Sequence, residues 1–162
     1  MIRRLWPGDL AAWRAFRVEA LTQSPESFLM TLAEEEARPD GALAADLEER
    51  PVLGRFEGDR LTGCIALRGM EGPDFAHRAW VGTVYVSPER RGSGDADRLM
   101  EAMADVARQA GHLQLELYVL STNARAIRFY ERHGFRVAGE LPRAVYRDGV
   151  FEDDLHMVRR LD

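Results

Sequence analysis

Residues Val84 to Met100 hold the first group of side chains able to do chemistry. An apolar run Val84-Tyr85-Val86 meets a stop at Pro88, then a basic glycine-rich turn, Glu89-Arg90-Arg91-Gly92-Ser93-Gly94, then a helix start at Asp95-Ala96-Asp97-Arg98. That order suits an anion. Glycine lets backbone N–H groups converge without an intervening Cβ, the helix start adds donors that have no intrahelical partner, and Arg90 and Arg91 supply countercharge. A pyrophosphate is the simplest ligand; an ordinary glycine-rich strand-to-helix turn is the alternative. The stretch matches neither common nucleotide fingerprint, having no Lys-Ser or Lys-Thr after its glycines and no three spaced glycines followed by an acidic residue about 20 positions on.

A second stretch, Asn123-Ala124-Arg125-Ala126-Ile127-Arg128-Phe129-Tyr130-Glu131-Arg132-His133-Gly134-Phe135, follows the apolar run Leu113 to Leu120. Asn123 ends a strand and opens a helix, Ala126 keeps one face thin, and Gly134 stops the helix before a new strand. Tyr130, two turns along, has a phenolic proton to donate, or is a core tyrosine beside Ile127.

The two stretches together resemble the GNAT superfamily of N-acetyltransferases. Arg91-x-x-Gly94-x-Ala96 after a strand is similar to that superfamily's coenzyme A pyrophosphate loop, and Asn123 to Phe135 is similar to its Asn-x-x-Ala-x-x-hydrophobic-Tyr-x-x-x-Gly-Phe segment. The resemblance covers roughly Val52 to Met157. It implies acetyl-coenzyme A as co-substrate and transfer of its acetyl group to a primary amine by direct attack. It places the pantetheine arm on the backbone of Val84 and Val86, the pyrophosphate on Arg91, Gly92, Ser93, Gly94, Asp95 and Ala96, the pantetheine amides beside Asn123, and the general acid at Tyr130. The acceptor is a small-molecule or peptide amine whose identity carries no readable code.

Direct transfer also needs a base. Strand alternation puts Gln114, Glu116 and Tyr118 on one face, with Glu116 either a base or a surface carboxylate. Tyr118 stands where several relatives have their glutamate. Glu140 and Asp153 are acceptor-side candidates, and His77 and His156 are either further candidates or structural. If the first helices and the terminal hairpin close over the thioester, Phe28, Glu34, Glu35, Phe151 and Asp153 line the acceptor pocket. One departure favours another class of function. Asp95 and Asp97 stand at the helix start where pyrophosphate binds, and a carboxylate roughly 4 Å from a phosphate costs about 1 kcal/mol in water and about 4 at intermediate dielectric. The alternative is thus a non-catalytic GNAT-fold protein with weak or lost coenzyme A binding, serving as a binding or interaction module.

The rest of the chain must position these segments. Its 162 residues make one expected domain, residues 1–162, and 46% hydrophobic with 30% charged residues describe a soluble globular protein. A net charge of −5 argues against nucleic acid. No apolar run approaches about 18 residues and Met1-Ile2-Arg3-Arg4 is no signal-peptide core, so the expected location is the cytoplasm with no membrane contact. No metal is expected. The lone Cys64 cannot form an internal disulfide and reads as a buried strand residue. All 22 basic residues are arginine, so no lysine side chain is present to be acetylated.

In order, the spacing predicts a short strand at Ile2 to Leu5, a helix from Asp9 to Thr22, and a polar helical region at Glu34 to Glu36 and Ala42 to Glu49, interrupted at Pro39-Asp40-Gly41. Strands Val52 to Glu57 and Arg60 to Arg68 flank a Gly58-Asp59 turn. His77 to Val86 and Leu113 to Leu120 are strands on either side of a helix reaching Gly111; Asn123 to His133 is a helix and Phe135 to Gly139 a strand. A terminal hairpin, Arg143 to Arg147 and Val150 to Leu161, offers an edge for a homodimer. The fold expected is α/β: a mixed, mostly antiparallel sheet with helices on both faces. The resemblance adds a splayed central parallel strand pair.

Overall fold

The computed structural model describes residues 1–162. The chain divides into two compact units, the first built from residues 1–68 and 82–103, the second from residues 69–81 and 104–162.

In the first unit, β1 (Ile2–Arg4) leads to α1 (Leu10–Gln23), which buries Trp13, Phe16, Ala20 and Leu21. That spacing is one face of a helix. α2 (Leu32–Ala37) starts at a reciprocal cap in which the Thr31 hydroxyl accepts the Glu34 amide at 3.2 Å while the Glu34 carboxylate accepts the Thr31 amide at 2.7 Å. α3 (Asp40–Glu49) begins directly after Pro39. The expected interruption is therefore shorter than the composition suggests. Pro39 ends the extended link, and Asp40 enters the first turn, where its charge meets the helix dipole favourably.

β2 (Val52–Glu57) pairs antiparallel with β1 and with β3 (Arg60–Gly69). Gly58, at φ +58°, makes the tight turn between β2 and β3. Leu5, Trp13, Phe16, Leu47, Val52, Phe56, Leu61 and Tyr85 share one core with Cys64, which is fully buried. Burial pushes the Cys64 thiol up to about 12 and its sulfur donates to the Thr83 carbonyl at 3.2 Å, so it is the inert strand residue expected.

β4 (Arg78–Val86) and α4 (Asp95–Gln109) each begin in one unit and end in the other. In the second unit β4 runs parallel to β5 (Gln114–Leu120), with Arg78, Ala79 and Trp80 opposite Gln114, Leu115 and Glu116. α5 (Ala124–Arg132) follows, then β6 (Arg136–Arg147) and β7 (Val150–Arg160), which pairs antiparallel with both β5 and β6. The sheet order is β1-β2-β3-β4-β5-β7-β6. This is the mixed, mostly antiparallel sheet with one parallel pair that the element order implies.

β6 corrects one expectation: it is a single strand running through Glu140-Leu141-Pro142. Its register shifts between Leu141 and Val145, where Arg143 adopts φ +54° and its amide donates to the Asp153 carboxylate at 2.7 Å. Proline is accommodated because a bulge needs no ladder donor at that point. None of the helices is long and apolar enough to cross a membrane.

The first-unit core leaves a testable mark. A Cβ on Gly54 would stand 2.6 Å from Leu61 Cδ1 and 3.0 Å from Leu5 Cδ2, whereas at Gly41 it would meet nothing within 4 Å. Gly54→Ala is expected to lower unfolding free energy by about 1–3 kcal/mol, and Gly41→Ala to raise it by up to about 1 kcal/mol. Urea titration of both variants checks this; an unchanged Gly54→Ala midpoint would mean that the core yields freely there.

Candidate functional site

The first unit carries the glycine-rich turn on which the resemblance places the pyrophosphate. After β4 the chain makes a short turn at Pro88–Arg90, and Gly92 and Gly94 both take left-handed backbone conformations, φ +78° and +80°, before α4 opens at Asp95. A side chain built on Gly92 would meet nothing within 4 Å. Left-handed residues alternating with ordinary ones turn backbone amides toward a common point, the geometry that receives a phosphate. Val84, Val86, Arg91, Gly92, Ser93, Gly94, Asp95 and Ala96 thus occupy one continuous strand, loop and helix start. Just ahead of Val84, the β-branched Thr83 sits at φ +50°, a conformation costing about 1–3 kcal/mol that persists only where surrounding structure imposes it.

Asp95 does not stand as the unpaired competitor for phosphate that the sequence suggests. Its residue is 1% exposed. Arg55 Nε and Arg98 Nη1 donate to Oδ1 at 3.1 and 2.9 Å, and Arg90 Nε donates to Oδ2 at 2.9 Å. Burial pushes this carboxyl up, but the hydrogen bonds from Arg90, Arg55 and Ser93 outweigh it and hold the group at about 2. Three guanidinium groups thus surround this one carboxylate, with Glu57 3.5 Å from Arg90, Glu89 also acting on Arg90, and Asp97 in the same first turn. Arg91 is anchored from the other side, donating to Ser24 Oγ at 2.9 Å and to the Val86 carbonyl at 3.4 Å. An open left-handed glycine turn with arginines beside it fits the pyrophosphate of coenzyme A. Asp97, half-buried one turn position on, keeps its place at the helix start.

The second unit carries the other segment. Asn123 caps α5, its Oδ1 accepting the Ala126 amide at 3.1 Å, which leaves its side-chain N–H₂ to donate elsewhere. Tyr130 packs edge-on against Phe129 and Phe135, with centroids 5.4 and 5.6 Å apart. Burial pushes the Tyr130 phenol up to about 12.

Glu116 is neither a surface carboxylate nor an available base. It is fully buried. Arg78 grips both oxygens at 2.5 and 2.9 Å, Gln114 donates to Oε1 at 2.8 Å, and His156 Nε2 lies 2.8 Å from Oε2. The Arg78 hydrogen bonds, opposed by burial and helped by Gln114 and His156, bring its carboxyl down to about 2. A group so stabilised as an anion is a poor proton acceptor near neutral pH. Beside it, Trp80, Tyr118 and His156 stack with centroids 5.0 to 5.7 Å apart. The sequence placed Glu116 and Tyr118 on one face correctly; the partners Arg78, Trp80 and His156 depend on strand register, which no local pattern gives.

The acceptor candidates fall into two groups. In the first unit, Glu35 is buried and paired with Arg17 at 3.3 Å, leaving its Oε1 without a partner, and Arg17 also lies over Phe28 at 5.0 Å. Glu34 is exposed and spent on the α2 cap. In the second unit, Arg143 lies 3.7 Å over the Phe151 ring and its amide holds Asp153. Glu34 and Asp153 therefore have local structural work: one starts a helix, the other pins a bulge.

The two depressed carboxyls give a pH signature. A folded-state value below the unfolded one contributes stability above the unfolded value and loses it as pH falls through the folded value. Asp95, lowered from 3.8 to about 2, contributes about 2.5 kcal/mol near neutral pH, and Glu116, lowered from 4.5 to about 2, about 3 kcal/mol. Stability should fall most steeply between about pH 4.5 and 2. Asp95→Asn should cost about 2–4 kcal/mol at pH 7 and flatten that fall, because it strands the arginines. Urea midpoints from pH 7 to pH 3 measure both; a loss under about 1 kcal/mol would mean that the arginines find other acceptors.

With these features in place, the likeness to known proteins is direct. Residues 12–135 match the sequence profile of the Acetyltransferase (GNAT) family. A mycothiol acetyltransferase of Brachybacterium faecium is 32% identical over 133 residues, 81% of this chain and 39% of that protein. The L-methionine sulfoximine/L-methionine sulfone acetyltransferase of Salmonella typhimurium is 29% identical over 112 residues, 69% of this chain and 66% of that one. The chain thus spans under half the length of the first relative and just under two thirds of the second. Among solved structures, yncA from Salmonella typhimurium, determined with its cofactor acetyl-CoA, superposes with a TM-score of 0.84 at 24% identity, covering 100% of this chain and 94% of its own. On the profile match, which takes in both the phosphate loop and the Asn123–Tyr130 segment, the chain belongs to the Acetyltransferase (GNAT) family.

Proposed function

We propose that residues 1–162 act as one N-acetyltransferase domain that moves an acetyl group from acetyl-CoA to a primary amine, with Tyr130 as general acid. The observation that carries this reading is the Tyr130 phenol, kept protonated by its aromatic surroundings and placed within an intact Asn123 to Gly134 segment. When bound, acetyl-CoA supplies an acetyl thioester whose carbonyl carbon an amine can attack. In the first unit the left-handed turn at Gly92 and Gly94 would receive a pyrophosphate; in the second, the Asn123 side-chain N–H₂ would be available to donate to an amide carbonyl.

Tyr130 then gives its proton to the departing sulfur. At about 12 the phenol is a weaker acid than a thiol at about 8.5, so it releases the proton only as the amine nitrogen sheds one of its own to restore it. The acceptor is a small-molecule amine or a peptide amine. The non-catalytic alternative drew its support from Asp95 and Asp97; with Asp95 enclosed by arginines, that support rests on Asp97 alone.

Calorimetric titration with acetyl-CoA and turnover of L-methionine sulfone, L-methionine sulfoximine and a peptide with a free N-terminus test the reading. Tyr130→Phe should keep acetyl-CoA affinity and lower kcat by about 10²- to 10⁴-fold. An unchanged kcat, with chemistry shown to limit the rate, removes Tyr130 from the mechanism. Absence of acetyl-CoA binding in the parent protein would favour the interaction-module reading.

A further inference from the structure

Glu116, ionised and buried, is an acceptor only. The ring atom His156 Nε2, 2.8 Å from its Oε2, must therefore carry the hydrogen in that contact, which leaves Nδ1 of the neutral ring as the lone-pair nitrogen. Nδ1 has no hydrogen-bond partner, and the His156 side chain is 25% exposed, enough for a ligand to reach it. Trp80 and Tyr118 hold the ring on its flanks, with centroids 5.7 and 5.0 Å away.

The arrangement exceeds what Glu116 alone requires. Arg78 already engages both carboxylate oxygens and neutralises their charge, and Gln114 adds a further donor. His156 is the additional partner, and the one whose second nitrogen points to chemistry. His112, by contrast, uses its Nδ1 on the Ala76 carbonyl at 2.8 Å. His156 also stands directly opposite Tyr118 on β5, the strand that runs on into Asn123 and the helix bearing Tyr130.

Resting on the acetyl-transfer reading, we propose that His156, fixed in one tautomer by Glu116, is the base that deprotonates the acceptor amine. His156 Nδ1 takes one proton from the acceptor ammonium. The freed nitrogen lone pair forms the N–C bond while the C–S bond breaks and its electron pair stays on sulfur. The Tyr130 proton goes to that sulfur, the second amine proton restores Tyr130, and the proton on His156 passes to solvent. One hydrogen ion is released per amide formed, as the overall reaction requires. Glu116 is a positioning residue. The charged and titratable groups facing His156 are Glu116 and Tyr118 from β5, Arg78 from β4 through Glu116, and Asp154 two residues along β7; Gly139, opposite it on β6, brings no charge.

Three measurements on the full chain test this. Nitrogen-detected imidazole NMR at neutral pH should show His156 with its hydrogen on Nε2; a hydrogen on Nδ1 overturns the proposal. With whichever probe amine turns over, His156→Gln should keep acetyl-CoA affinity, lose about 10²-fold or more in kcat/KM, and lose the acid limb of the pH profile. His156→Ala should be rescued by added imidazole entering beside Trp80 and Tyr118, and His156→Phe should not. A turnover-competent parent whose His156→Gln variant retains full kcat/KM and the same limb defeats the base assignment while the acetyl-transfer reading stands. A parent that transfers acetyl to none of the amines defeats both.

Discussion

Asp95, Glu116 and Glu35 are carboxylates taken out of water, and each is matched to guanidinium groups that must arrive from elsewhere in the sequence. A buried carboxylate left alone costs several kcal/mol, so each can exist only once its partner segment has docked. Arg55 on β2 and Arg90 in the loop meet at Asp95; Arg78 on β4 and Gln114 on β5 meet at Glu116. The first pairing ties a strand and a loop to the start of α4, and the second ties β4 to β5. Apolar burial drives collapse in any register that hides the same faces, but a register that misplaces Arg55 or Arg78 strands a charge.

The same constraint shapes the phosphate loop. A carboxylate at the first position of α4 would by itself oppose an incoming anion. Surrounded by Arg55, Arg90 and Arg98, it becomes the anchor that gathers positive charge at that helix start. Asp95 therefore fixes the three arginines around it.

Legibility followed the range of the interaction involved. The helix of α1, the Gly58 turn, the left-handed glycines of the loop and the Asn123 cap are decided by residues within a turn of one another, and all were readable in the chain. The start of α3 was missed because Pro39 and Asp40 read as breakers, when together they make a helix opening. The continuity of β6 through Pro142 was missed because the bulge depends on the Asp153 carboxylate ten residues away. Of the proposed site, Tyr130 and Asn123 stand in one local pattern. The Glu116 surroundings do not, since His156 reaches Glu116 only through the pairing of β5 with β7.

The exclusive use of arginine bears on both fold and chemistry. A guanidinium group offers five donors in a planar fork, which suits Arg78 to a two-oxygen grip on Glu116 and lets Arg90 serve Asp95 through Nε and a terminal nitrogen together. Lysine in these places would give one point charge, and its amine, once deprotonated, would be a nucleophile toward a thioester. Arginine stays protonated and holds its nitrogens out of that reaction. The Met1 nitrogen donates to the Phe56 carbonyl at 3.0 Å beside β1 and β2. The cations paired with buried carboxylates inside each unit are thus ones that an acetyl donor leaves untouched.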